Sequence, residues 1–142
     1  KNGVAYYGSL SERVDDPGLK KTYSDLAEME RHHIRMFEDM KSSVSSGPVI
    51  TADVEEEYDA YVKALIDSAV FPTDEVAKGL ASRASGAAEA LQIAIGAEKD
   101  SILFYTEMRD LVPAREREAV DRIIKEEKIH LRDLSALKRQ FS

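Results

Sequence analysis

The second half of this chain repeats the first. Lys1-Asn2-Gly3-Val4-Ala5-Tyr6-Tyr7 sets over Lys99-Asp100-Ser101-Ile102-Leu103-Phe104-Tyr105, matching a lysine, an apolar pair and an aromatic pair. After a shift of one residue, Leu26, Ala27, Glu30, His33, Ile34, Arg35, Phe37, Met40 and Lys41 fall on Ile123, Ile124, Glu127, His130, Leu131, Arg132, Leu134, Leu137 and Lys138. Glu-x-x-His thus occurs twice, at equivalent places. A chain built this way is two copies of one helical hairpin, each carrying Glu-x-x-His on its second helix. Carried one step back, the overlay puts Glu98 opposite the residue before Lys1. The expectation is a glutamate there, with the first helix beginning upstream of the sequence given.

The apolar spacing is helical almost throughout. Leu19, Tyr23, Leu26, Glu30, His33, Ile34, Phe37 and Met40 recur at gaps that place them on one face of a helix from Leu19 to Lys41. Ala84, Ala87, Leu91, Ala94, Ile95, Glu98, Ile102, Tyr105, Met108 and Val112 do the same before Pro113. Val120, Ile123, Ile124, Glu127, His130, Leu131, Leu134, Leu137 and Phe141 mark another face, and Val4, Tyr7, Leu10 and Val14 the end of a first helix. Residues 42–83 form a long crossover. It opens on a Ser/Gly/Pro loop, carries a helix from Ala52 to Ala69, and holds a short helix after Pro72 capped by Thr73 or Asp74. Tyr58 and Tyr61 are read as packing residues. The predicted fold is all-α: a four-helix bundle of two antiparallel hairpins joined by a helical crossover, one domain over residues 1–142.

Composition removes many alternatives. The chain has 142 residues, no cysteine and a net charge of −7. Thiol catalysis, cysteine-ligated zinc and iron–sulfur clusters are excluded. The acidic balance and the lack of a basic run argue against nucleic acid, and no apolar stretch is long enough for a membrane span. There is no glycine-rich phosphate loop, nucleophile elbow or EF-hand loop. The Glu55–Glu57 run and the Arg115–Glu118 cluster read as solvated faces.

The inward acids are another matter. Residues at i and i+3 lie about 5–6 Å apart on the same helix face, so Glu30 points with His33 and Glu127 with His130, among apolar neighbours. Glu98 interrupts an apolar face between Ile95 and Ile102. Two carboxylates 4 Å apart repel by about 4 kcal/mol at an effective dielectric near 20, so a cluster must take up protons or cations. Two divalent ions would neutralise four carboxylates, with two imidazoles completing the ligand set. A single Glu-x-x-His is weak evidence, because glutamate is common on solvated helix faces; two at repeat-related inward positions are much stronger. His32 lies about 100° round the helix from His33 and reads as a surface or supporting residue.

With Glu98-Lys99-Asp100-Ser101-Ile102-Leu103-Phe104-Tyr105 and the pairs Glu30/His33 and Glu127/His130, the sequence resembles the ferritin-like superfamily, and within it the rubrerythrin-type di-iron domain. The resemblance covers essentially the whole chain. It implies Glu30 and Glu127 as bridging carboxylates, His33 and His130 as terminal ligands, and Glu98 as a terminal carboxylate. It also implies that Tyr7 and Tyr105 hydrogen-bond to carboxylates. The implied cofactor is two iron ions, manganese and zinc being alternatives. The implied activity is oxidoreduction with hydrogen peroxide or dioxygen.

Two departures from that family pattern stand out. Ser101 replaces a further glutamate, so redox-linked ligand exchange is not carried over. Without a rubredoxin-type cysteine module, electrons must come from a separate donor protein. A cytoplasmic homodimer is expected. The alternative functions are ferroxidase activity for iron storage or transfer, and a metal-free helical interaction domain.

Overall fold

The computed structural model describes residues 2–43, 60, 61, 63, 64 and 67–141, with the backbone alone for residues 40–43. Within them run five α-helices and no strand: α1 (Asn2–Arg13), α2 (Pro17–Ser43), α3 (Asp74–Arg83), α4 (Ala87–Leu111) and α5 (Arg117–Lys138), with a 3-10 turn at Ala114–Glu116. Most of the expected crossover helix from Ala52 to Ala69, with Tyr58, lies outside the described residues. Positions 60, 61, 63, 64 and 67 of it are helical. None of the described helices is long and apolar enough to cross a membrane.

Local chemistry sets the helix boundaries. The Asp16 carboxylate accepts the Leu19 N–H at 2.8 Å, and Pro17 takes the first helical position, where a missing N–H is not felt. The short link between α1 and α2 makes them antiparallel neighbours. Thr73 caps α3 by accepting the Val76 N–H, and α3 lies against α1 through Ala77 and Ala81. Helix α4 begins at Ala87 rather than Ala84, because the Ser85 N–H and hydroxyl both bond to Glu89 Oε2 and turn that stretch into a cap. Val112 leaves α4 in extended geometry, and Pro113 prevents its continuation. On α4, Asp100 Oδ2 accepts the Val70 N–H at 2.7 Å, tying the end of the crossover to the bundle.

Two expectations about packing are corrected, and one core residue is added. Phe141 is not on the inner face: the Gln140 and Phe141 N–H groups bond three residues back, which tightens the chain past α5 and leaves Phe141 43% exposed. Tyr6 joins Tyr7 in the core, because α1 is covered by both α2 and α3 and so buries more than one stripe. The Tyr6 hydroxyl donates to the Ala90 carbonyl at 2.8 Å. Tyr61 is exposed rather than packed inside, and its hydroxyl is paired with Glu107.

The apolar interior falls into two blocks. One gathers Tyr6, Tyr7, Leu10, Tyr23, Leu26, Leu91, Ile95 and Leu134. The other gathers Val112, Val120, Ile123 and Ile124, with Met36, Phe37 and Tyr105 packed against it. Along α2, α4 and α5 alike, the chain passes from one block to the other through the acids and histidines. The polar cluster is therefore a layer between two dry cores.

Candidate metal centre

Among the described residues, the buried acids and histidines all belong to this layer: His33 from α2, Glu98 from α4, and Glu127 and His130 from α5. Half-buried Glu30 of α2 joins them. The i, i+3 spacing on continuous helices brings each Glu-x-x-His pair into register, and the hairpin repeat places the two pairs face to face. All five predicted ligand residues thus converge. The residue before Lys1 lies outside the described chain.

Glu127 stands at the centre. Its Oε1 lies 3.1 Å from His33 Nδ1, and its Oε2 lies 3.0 Å from His130 Nδ1. His130 Nδ1 is also 3.7 Å from Glu98 Oε2. The potential ligand atoms form two groups, Glu30/His33/Glu127 and Glu98/Glu127/His130, each with its atoms within 4.8 Å of one another. The imidazole centroids are 6.3 Å apart.

Three buried atoms of this cluster, His33 Nδ1, Glu98 Oε2 and Glu127 Oε1, make no hydrogen bond. An unpaired buried polar atom costs about 1–3 kcal/mol, more when charged. Here the orphaned lone pairs come from two carboxylates and an imidazole gathered into one small volume. Oxygen and nitrogen donors without thiolate suit iron, manganese or zinc. The donor set and its orphaned atoms therefore fit a pair of divalent cations.

The electrostatics agree. Burial, with the Glu127 charge beside it, raises the Glu30 carboxyl well above the usual carboxylate range. Burial likewise raises Glu98, next to Glu127 and Glu30. Burial pushes Glu127 up as well, but contacts with His130 and His33 outweigh it and hold this carboxylate ionised. Burial alone would lower both histidines. The neighbouring carboxylates reverse the sign and raise His33 to about 9 and His130 to about 10. In the absence of cations, the layer holds its acids together by retaining protons.

Around this layer, Tyr7 donates a short hydrogen bond to Glu98 Oε1, matching the expectation for that tyrosine. Tyr105 behaves differently. Its ring stacks on Phe37 at 5.2 Å and meets His33 edge-on at 6.3 Å, and its hydroxyl makes no hydrogen bond among the described residues. Gly3 is placed so that a Cβ there would lie 2.6 Å from Glu30 Oε1. A cavity of about 240 Å³, lined in part by Gly3, Glu30, Ser101, Phe104 and Tyr105, leads to the Glu30 side of the layer. His32 is exposed and outside it.

Two neighbours were not singled out by the sequence. Glu126 Oε2 accepts from His33 Nε2 at 2.8 Å, and Met29 Sδ lies 3.2 Å from His130 Nε2. The duplication held the signal: Met29 and Glu126 each stand immediately before a ligand glutamate, at equivalent positions of the two repeats.

The rubrerythrin family model matches residues 1–138. The chain belongs to the rubrerythrin family. A crystal structure from Thermotoga maritima, assigned to the ferritin-like diiron-carboxylate proteins, is similar over 99% of this chain and 87% of its own, at 29% identity and a TM-score of 0.67. This rubrerythrin-family chain accordingly has the ferritin-like fold expected from its sequence. No curated protein matches it significantly.

Proposed function

We propose that this chain is a non-haem di-iron oxidoreductase of the rubrerythrin type, reacting with hydrogen peroxide or dioxygen. The observation that carries the proposal is the pair of Glu/His groups that share buried Glu127. The assignment of the Thermotoga protein supports iron as the metal, although manganese and zinc accept the same donors. In this reading Glu30 and Glu127 would hold both ions, and His33, His130 and Glu98 would each hold one.

Bound ferrous iron would supply the two electrons that, with two protons, reduce hydrogen peroxide to water. The protein's own contributions follow from the geometry. Glu127 directs one oxygen at each imidazole and so can serve both ions at once. Tyr7 engages Glu98 Oε1, keeping a proton at that oxygen and leaving Oε2 turned toward His130. The apolar blocks on either side restrict water, which strengthens every charge interaction between them. The cavity beside Glu30 has room for an oxidant of a few atoms. Electrons would reach the site from a donor outside these 142 residues, which contain no cysteine. A cytoplasmic homodimer is the setting we propose.

The test is anaerobic reconstitution with ferrous iron, followed by rapid mixing with peroxide or oxygen. Near-ultraviolet absorption that develops as the iron is oxidised, faster with peroxide than with oxygen, supports a peroxidase. No optical change with either oxidant overturns the oxidoreductase reading.

A further inference from the structure

His33 and His130 each turn Nδ1 toward Glu127 and Nε2 away from it. On the outer side the two repeats differ. His33 Nε2 meets Glu126 Oε2 at 2.8 Å, whereas His130 Nε2 meets Met29 Sδ at 3.2 Å. Because Met29 and Glu126 occupy equivalent places in the duplication, the same backbone position holds a carboxylate for one histidine and a thioether for the other. An ionised carboxylate only accepts, so Nε2 of His33 carries the hydrogen and its Nδ1 lone pair is free to point inward. A thioether is a weak acceptor, and it gives the His130 ring much less reason to keep one orientation or tautomer. Carboxylate partners of this kind also make an imidazole more electron-rich, and their loss typically costs 10–100-fold in metal affinity.

We propose that Glu126 is a positioning residue that fixes His33 as a metal ligand, and that Met29 leaves His130 without the equivalent support, making the two metal positions unequal. The His130 position is the one where the metal–nitrogen bond yields more readily. The half-buried setting of Glu126 is consistent with this role, since its carboxylate sits at the solvent edge while its contact reaches the buried His33 ring. This inference rests on the reading of His33 and His130 as ligands.

The experiment uses the full-length protein, stripped of metal and titrated with cobalt(II) against a competing chelator. Wild type is expected to take up cobalt in two distinguishable steps. Glu126→Gln should weaken one ion by about 10–100-fold while the other changes by less than about threefold. Met29→Glu should tighten the other ion by about tenfold. Nitrogen-edited NMR of the zinc-loaded protein reads the positioning directly: one histidine Nε2 proton should show a strong hydrogen bond, lost in Glu126→Leu and partly restored in Glu126→Gln. Unchanged affinities in Glu126→Gln, or an equal loss in Met29→Leu, overturn the inference while leaving the metal site standing. A wild-type protein that takes up no cobalt overturns both.

Discussion

His33 Nδ1 and Glu127 Oε1 lie 3.1 Å apart deep in the bundle, and neither makes a hydrogen bond. In metal-free protein the protonated His33 ring pairs electrostatically with this carboxylate, and a cation between the two atoms would take the proton's place. The same carboxylate sends its other oxygen to His130 Nδ1 at 3.0 Å. Its removal is therefore predicted to abolish binding of both ions. Glu98, which belongs to one group alone, should on replacement weaken one ion more than the other. Metal content of Glu127→Ala and Glu98→Gln after identical loading checks this.

Gly3 separates stability from function. Alanine in place of a helical glycine ordinarily gains about 0.5–1 kcal/mol. Here the new Cβ would come within 2.6 Å of Glu30 Oε1, the mobile end of a flexible side chain. Gly3→Ala is predicted to melt no lower than wild type without metal, yet to bind metal at least about tenfold more weakly, a loss of about 1.4 kcal/mol. Thermal melts and metal titration of the same sample test the pair of effects.

Tyr7→Phe keeps the ring packing but deletes the bond to Glu98. Leaving a buried acceptor unpaired costs about 1–3 kcal/mol. In a chain of this size that corresponds to a fall of roughly 3–8 °C in the melting midpoint. Tyr105→Phe, whose hydroxyl has no bond to lose among the described residues, should shift it by less than about 2 °C. Calorimetry of the two variants side by side tests the difference.

The site should respond to pH with opposite signs in its two forms. In metal-free protein, His33 and His130 are raised to about 9 and about 10, and Glu30 and Glu98 are raised as well. Raised groups stabilise the fold below their unfolded values, and that support is lost as pH climbs through the folded ones. Glu127, which is lowered, loses its contribution only on acidification. Metal-free protein should therefore melt at falling temperature from about pH 5, where the raised carboxyls begin to lose their contribution, to about pH 10, where the histidines have lost theirs. Metal must displace those protons, so its affinity rises with pH. The gap between loaded and metal-free midpoints should widen over that range, as melts at a series of pH values would show.

Much of this site was legible in the sequence because duplication and helical spacing report on the same geometry. Glu30, His33, Glu127 and His130 share an i, i+3 step on apolar faces, so a correct face assignment is enough to bring them together. Glu98 was readable as an acid with no reason to sit between Ile95 and Ile102. Tyr6 was missed because a one-stripe reading of α1 ignores α3, which covers its other side. Phe141 was misplaced because helical spacing continues past the point where the backbone tightens. Glu126 and Met29 escaped because contacts between helices depend on how the hairpins cross, which spacing within one helix does not encode.

The central claim is that the layer between the two apolar cores binds a pair of metal ions. The most direct measurement is iron content per chain after anaerobic loading and removal of loosely bound metal, for the full-length protein and for Glu127→Ala. The predicted result is two ions per chain in the wild type, matching the two ligand groups, and less than about a tenth of that in the variant. Equal iron in both proteins, or none in either, would contradict it.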